Sequence, residues 1–103
     1  MEALNTIMTL RVVARIKAKP DKVEEVRDAL SGLVAPTRNE AGCIVYELLQ
    51  NTRDPMDFTF VEEWESESAL ASHAASDHIK ATRVKLEGIV EDGPDIRTYT
   101  LIA

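Results

Sequence analysis

The sequence predicts a single α+β domain with the ferredoxin-like order of strand, helix, strand, strand, helices, strand. Three observations predict it. Residues 8–18 and 58–65 alternate between apolar and polar side chains with the two-residue period of a strand, and apolar residues recur at helical spacing after each of these segments. A turn cluster at 51–55 joins two strand-like segments directly. We therefore expect residues 1–103 to form one antiparallel four-stranded sheet with helices on one face.

The composition restricts the class of protein and its partners. The chain has 103 residues, of which 45% are hydrophobic and 29% charged, which is typical of a globular domain with one modest core. Its net charge of -6 argues against nucleic acid and anionic membranes as partners. One cysteine cannot form an internal disulfide, and the first residues show neither a basic start nor an apolar run. We expect a cytoplasmic protein.

The first strand and the first helix are predicted from residues 8–34. The strand has one apolar face, formed by Met8, Leu10, Val12, Ala14, Ile16 and Ala18. Pro20 suits the start of the helix. The apolar residues at helical spacing are Val23, Val26, Leu30, Leu33 and Val34. Pro36 should end or kink this helix.

The second and third strands are predicted to form a hairpin. Gly42 is a turn residue, and the second strand covers 43–50. Asn51 to Pro55 has turn composition, so the two strands should pair antiparallel. The third strand covers 58–65.

Two serines mark the helices of the second half. Ser66 is expected to cap a short helix through Leu70 and His73, and Ser76 to cap a longer one. The apolar side of the longer helix is predicted to comprise Ile79, Thr82, Leu86, Ile89 and Val90. Gly93–Pro94 should stop it, and 96–102 should form the last strand.

Helices on one face leave the other face of the sheet open. The apolar residues predicted there are Val13, Val45, Leu49, Val61, Tyr99 and Leu101, interleaved with Arg11, Arg15, Glu47 and Glu63. A solvated sheet face should be mostly polar. We therefore expect this face to pack on the sheet of an identical subunit.

The third strand combines aromatic residues with an acid. Phe58, Phe60, Glu62 and Trp64 share one face, and a carboxylate among aromatic side chains must be paired or protonated. His73 follows within a short helix, and His78 is close behind it. The sequence therefore predicts a polar cluster inside an apolar pocket.

Each candidate residue also has a purely structural interpretation. Trp64 could be core as well as pocket wall, and Glu62 could form an ordinary ion pair or orient a histidine. His73 could be a satisfied core residue or a general base. The residues predicted to bind substrate as pocket-wall or rim residues are Tyr46, Phe60, Phe58 and His78. Cys43 has no neighbour in sequence that would activate a thiolate.

No cofactor or metal site is predicted. On one continuous helix, two histidines five residues apart point about 140° away from each other. The sequence has no HExxH or CxxC motif, no acidic calcium loop and no glycine-rich phosphate loop.

Taken together, these residues resemble the antibiotic biosynthesis monooxygenase family, which includes cofactor-free quinol oxygenases. The resemblance covers nearly the whole chain and rests on the segments 14–20, 38–47, 54–64 and 73–78. It implies a homodimer in which two sheets face each other as a dimeric α/β barrel, with a substrate pocket in each subunit. It also implies that Trp64 lines that pocket.

The resemblance leads to a prediction of function. We expect a cofactor-independent monooxygenase that oxidises a small quinol, or a polycyclic or dihydroxy-aromatic substrate, with O2. His73 would act as the base, Glu62 as its orienting partner, and Trp64 as a wall of the site. One alternative is a cofactor-free isomerase of a small carbonyl compound. Another is a non-catalytic dimeric protein that binds aromatic or quinone metabolites. Haem degradation, known in one branch of the family, is disfavoured because that branch's haem-ligating histidine falls near Arg83.

Overall fold

The computed structural model describes residues 8–103, and its elements follow the predicted order. The strands are β1 (Leu10–Ala18), β2 (Cys43–Gln50), β3 (Asp57–Trp64) and β4 (Val90–Tyr99), and the helices are α1 (Val23–Ser31), α2 (Val34–Arg38), α3 (Glu67–Ala74) and α4 (Asp77–Leu86). The strands form one antiparallel sheet in the order β2-β3-β1-β4. The ferredoxin-like prediction is confirmed. Within the described range, no helix has the length and apolar character that crossing a membrane requires.

The two central strands carry the core. Their antiparallel register pairs Val12 with Glu62 and Ala14 with Phe60, so that these side chains share the inner face of the sheet. The inner positions of β3 are all at most 4% exposed. The alternating pattern therefore predicted the buried face correctly. Met8 is the exception, because it precedes β1 and is 65% exposed.

The first helical segment is divided into two helices. Residues around Pro20 form a turn closed by the Lys22 amide donating to the Lys19 carbonyl, so α1 begins at Val23. Pro36 neither ends nor kinks α1, since that helix already ends at Ser31. It lies instead in the first turn of α2, where a missing N–H breaks no helical hydrogen bond.

The last helix and the last strand meet earlier than predicted. α4 ends at Leu86, and Gly88 adopts a φ of 81°, a conformation that stops a helix and favours glycine. Ile89 and Val90 are apolar because they pack against the core as the chain enters β4, not because they continue the helix. Gly93 lies inside β4 next to a register irregularity with β1. The prediction that Gly93–Pro94 stops the helix, and that the strand spans 96–102, is wrong.

The outer face of the sheet has the predicted mixture of apolar and charged residues. Val13, Leu49 and Tyr99 are 37%, 49% and 48% exposed. Pairs of opposite charge lie between them: Arg11 contacts Glu63 at 3.5 Å and Arg15 contacts Asp57 at 2.9 Å. Leu101, predicted to belong to this face, lies beyond the end of β4.

The turn before β2 is held tightly against α3. Gly42 has a φ of 86°, and its carbonyl accepts from the Glu65 amide at 2.9 Å. A Cβ on Gly42 would lie 2.5 Å from the Cβ of Ala69, which is fixed by the α3 backbone. Only glycine fits this contact without movement of the turn or the helix.

We predict that Gly42→Ala destabilises the fold more than Gly88→Ala does. Both positions have positive φ, so each substitution should cost roughly 1–2 kcal/mol of backbone strain. At Gly88 nothing lies within 4 Å of the added Cβ. At Gly42 the clash with Ala69 should add about 1–3 kcal/mol. Urea unfolding of both variants measures the difference, and equal losses of stability would contradict the close packing of this turn.

Candidate functional site

A cavity of about 760 Å³ lies between the inner face of the sheet and the helices α1, α3 and α4. Most of its wall is aliphatic, from residues such as Val12, Ile16, Leu30, Leu70 and Ile79. The buried polar side chains in the wall are Glu62, His73 and Thr82. A cavity of this size and character can hold a small planar organic molecule.

Glu62 is held by the indole of Trp64. The Trp64 Nε1–H donates to Glu62 Oε1 at 2.8 Å, and the two side chains are 0% and 4% exposed. Burial raises the pKa of Glu62, while the hydrogen bond from Trp64 and the charge of His73 act in the opposite direction. Glu62 is therefore a carboxyl group in the cavity wall whose proton is held more tightly than in water.

His73 is fixed by aromatic rings and by a carboxylate. Its ring centroid lies 4.7 Å from that of Trp64 and 5.4 Å from that of Tyr46. Its Nδ1 lies 2.7 Å from Oε2 of Glu40. An ionised carboxylate only accepts hydrogen bonds, so Nδ1 donates and Nε2 is left as the ring atom that can accept a proton.

His78 reaches the same carboxylate oxygen from the next helix. Its Nε2 donates to Oε2 of Glu40, also at 2.7 Å. Ser76 makes this possible, because its hydroxyl donates to the His73 carbonyl at 2.7 Å and accepts from the Ile79 amide at 3.4 Å. The serine thus ends one helix and starts the other, and the change of direction brings both imidazoles to Glu40. We call Glu40, His73 and His78 the histidine–carboxylate cluster.

Glu40 is the residue that sequence reasoning missed. It lies between α2 and β2, with its amide donating to the Thr37 carbonyl and its own carbonyl accepting from the Cys43 amide. The turn is anchored to α3 through Gly42. The sequence does show an acid, Glu40, just before the Gly42 turn. No local spacing relates this acid to His73, which lies 33 residues later.

The orienting carboxylate of His73 is therefore Glu40, and the prediction that Glu62 holds this role is wrong. Glu62 accepts a hydrogen bond from Trp64 instead. The two histidines do not share one continuous helix, as the predicted divergence of their side chains assumed. They lie on separate helices and point at one oxygen.

The predicted pocket residues divide into two groups. Tyr46 and Phe60 line the cavity, with their rings stacked at a centroid distance of 4.8 Å. Burial raises the pKa of the Tyr46 hydroxyl far above its usual range, and the charge of Glu62 acts in the same direction. Phe58, Trp64 and His78 are not part of the cavity wall. Trp64 instead supports two residues that are, Glu62 and His73.

Cys43 lies beside the cluster without the surroundings of a reactive thiol. Burial raises its pKa, and the charges of Glu40 and Glu62 raise it further. A thiol of this kind is poorly ionised at neutral pH.

This fold, with a largely apolar pocket under its helices and a histidine held by a carboxylate, defines a class of small α+β domains in which a compact organic ligand can lie next to a proton-accepting group. The family model described as "Antibiotic biosynthesis monooxygenase" matches residues 9–85. The chain belongs to this family.

Relatives and solved structures agree with this assignment. The chain is 33% identical over 88 residues to "Putative monooxygenase YcnE" of Bacillus subtilis, covering 85% of each protein. It is 29% identical over 90 residues to the protein sll1783 of Synechocystis, covering 87% of this chain but 61% of that longer relative. The crystal structure of the protein SO0527 of Shewanella oneidensis has a TM-score of 0.84 and 34% identity, with 93% of each chain covered.

We predict that Glu62→Gln changes how stability depends on pH. Because burial raises the folded-state pKa of Glu62, the folded protein binds this proton more tightly than the unfolded chain does. Wild-type stability should therefore fall as pH rises from the unfolded pKa through the folded pKa. Glutamine keeps an oxygen for the Trp64 N–H but does not ionise, so the variant lacks this loss.

Urea unfolding between pH 4 and pH 7 measures the effect. The stability of Glu62→Gln relative to wild type should increase with pH over this range. Asp28→Asn, at an exposed position of α1, controls for the removal of one negative charge. A difference between Glu62→Gln and wild type that stays constant with pH would contradict the prediction.

Proposed function

We propose that the protein is a monooxygenase that oxidises a small quinol or polycyclic dihydroxy-aromatic compound with O2, without a bound redox cofactor. The observation that carries the proposal is the position of His73. It is 6% exposed, lies in the wall of an apolar cavity, and has Nδ1 bound to Glu40. The names of the family and of relatives such as YcnE support the reaction class.

The cavity suits a planar aromatic substrate. Phe60 and Tyr46 form an aromatic part of the wall, and the aliphatic residues of β1, α1 and α4 form much of the remainder. A flat ring can stack on this wall and remove apolar surface from water. Arg83 and Glu67, both exposed, provide polar groups at the edge of the lining.

The proposed reaction begins with proton transfer to His73. The Nε2 lone pair accepts a proton from a substrate hydroxyl, and Glu40 stabilises the resulting imidazolium through Nδ1. The substrate anion passes one electron to O2, and the two radicals combine to form a C–O bond. His73 returns its proton to the peroxide. Loss of water, which also takes the hydrogen of the oxygenated carbon, then leaves one oxygen atom in the substrate as a carbonyl. The substrate thus supplies all the electrons that reduce the second oxygen atom to water.

The apolar wall also favours the electron transfer from the substrate anion to O2. A phenolate is less well solvated in the cavity than in water, so its electron is easier to remove. Charge separation between the substrate anion and the protonated His73 is compensated by Glu40 at 2.7 Å from Nδ1. The positive charge of the protonated His73 thus lies between two negative charges, those of the substrate anion and of Glu40.

We also propose that the outer face of the sheet pairs with the same face of a second copy. The apolar residues of this face are partly exposed, and its arginines already have acidic partners within the subunit. Docking two such faces would bury this apolar surface together with ion pairs that are already formed within each subunit. The resulting assembly is the dimeric barrel that the family resemblance implies.

We predict that His73→Ala lowers the rate of quinol oxidation in air by about 100-fold or more, the usual contribution of a positioned general base. The assay follows O2 consumption and quinone absorbance, with a nitrogen-flushed sample as the control. Asp77→Asn, an exposed acid near the cluster, is the matched variant and should keep the wild-type rate.

Other outcomes separate the alternative functions. Equal rates in wild type and His73→Ala would remove His73 from the mechanism. Substrate turnover without O2 consumption would favour the isomerase. Saturable binding of quinols without turnover of any of them would favour a binding protein. Thermal unfolding of each variant establishes that it is folded in the assay.

We predict that Leu49→Glu shifts the protein from dimer to monomer, because it places a charge at an exposed apolar position of the proposed interface. Light scattering after size-exclusion chromatography measures the mass. Val84→Glu, at a 65% exposed position on α4, should leave the dimer intact. A monomeric wild type, or an unchanged dimer in Leu49→Glu, would contradict the proposed interface.

A further inference from the structure

The histidine–carboxylate cluster has the composition of a transition-metal site. Nδ1 of His73, Nε2 of His78 and Oε2 of Glu40 all lie within 4.8 Å of one another. These are the only two histidines of the chain, and both point at the same carboxylate oxygen. Two imidazoles and one carboxylate hold zinc in hydrolytic enzymes and iron in non-haem oxygenases.

We propose that Glu40, His73 and His78 bind a divalent first-row transition-metal ion through these three atoms. Three protein ligands leave at least one position of the ion for water or another small ligand. The ion would replace the two N–H···O hydrogen bonds that now connect the cluster. The ligand atoms are two imidazole nitrogens and one carboxylate oxygen, with no thiolate sulfur. Such a site suits Zn²⁺, Co²⁺ or Fe²⁺.

The required movement is small. Metal–ligand bonds of about 2.0–2.1 Å place neighbouring tetrahedral ligands about 3.3 Å apart. The two contacts to Glu40 are 2.7 Å, so each would lengthen by roughly half an ångström. The two ring nitrogens lie within 4.8 Å of each other and must likewise approach to about 3.3 Å. Rotations of the side chains provide shifts of this size without movement of the helices.

The surroundings hold the ligands in place. The ring of His73 packs against Trp64 and Tyr46, which restricts its rotation. Exposure of the three side chains is 8% for His73, 15% for Glu40 and 25% for His78, so an ion can enter from the His78 side. Glu62 adds a second carboxyl group that interacts electrostatically with Glu40 and His73. This environment favours a cation.

Metal binding and the proposed base cannot operate together. An ion on Nδ1 of His73 uses the lone pair of that atom, and the neutral ring then carries its proton on Nε2. That nitrogen can no longer accept a proton from the substrate. Binding itself does not rest on the proposed function. The expected inhibition by metal ions does rest on it.

The test is a titration of the untagged full-length chain with Zn²⁺ by calorimetry and with Co²⁺ by visible absorption. We expect one equivalent of either ion to bind, and the Co²⁺ bands to intensify as aqua ligands are replaced by imidazoles. The two histidine side chains should shift together in NMR spectra during the Zn²⁺ titration. Fe²⁺, added without oxygen, is the third probe and should compete with Co²⁺.

Glu40→Gln and His78→Asn should each weaken Zn²⁺ binding by at least tenfold, while Asp77→Asn binds as wild type does. His73→Ala removes a buried ring, so its metal binding is compared only if the variant remains folded. The test therefore relies on the two more exposed ligands, Glu40 and His78. Wild-type protein without saturable binding at millimolar Zn²⁺, or equal binding by wild type and Glu40→Gln, would overturn the proposal.

The two proposals fail separately. If Zn²⁺ binds in the expected way and no quinol is oxidised in its absence, the metal site stands and the oxidation falls. If metal-free protein oxidises quinols and no ion binds, the oxidation stands and the metal site falls. If both occur, Zn²⁺ at a concentration that saturates the site should abolish at least nine-tenths of the oxidation rate.

Discussion

One carboxylate oxygen connects three parts of the chain. Oε2 of Glu40 accepts hydrogen bonds from imidazoles on two successive helices, and Glu40 itself lies on the turn that leads into the edge strand β2. His73 is nearly enclosed, so its hydrogen bond to Glu40 forms where water competes weakly. The position of both helices over the sheet, and with it the wall of the cavity, depends on this contact and on the close packing of Gly42 against α3.

The site combines two kinds of carboxyl group that serve different purposes. Glu40 is partly exposed and holds two imidazoles, whereas Glu62 is buried and bound to the indole of Trp64. The first can stabilise positive charge on His73, and the second gives the apolar cavity a polar wall. In the proposed metal site, an ion replaces the two protons that lie between the imidazoles and Oε2 of Glu40. Which of these is present decides whether His73 can act as a base.

Much of the fold could be predicted from local signals. The period-two pattern of β1 and β3, the turn after β2 and the serine caps of α3 and α4 are properties of short segments, and the structure has all of them. The end of α4 could not be predicted in the same way. Ile89 and Val90 continue the helical spacing, but their burial comes from entry into β4, and Gly88 rather than Gly93 ends the helix. The sequence shows only that such a residue is apolar, and this does not distinguish burial in a helix from burial at the start of a strand.

The sequence by itself determined the class of fold, the buried face of β3 and the nearness of an acid, an indole and an imidazole, because these follow from the periods of strands and helices. Only the tertiary structure decided which acid holds the imidazole. Glu40 and His73 are 33 residues apart and no period relates them. They meet because a turn that only glycine can form brings one backbone against another, and because Ser76 changes the direction of the chain between the two histidines. Contacts of this kind depend on the packing of whole elements, which local patterns do not encode.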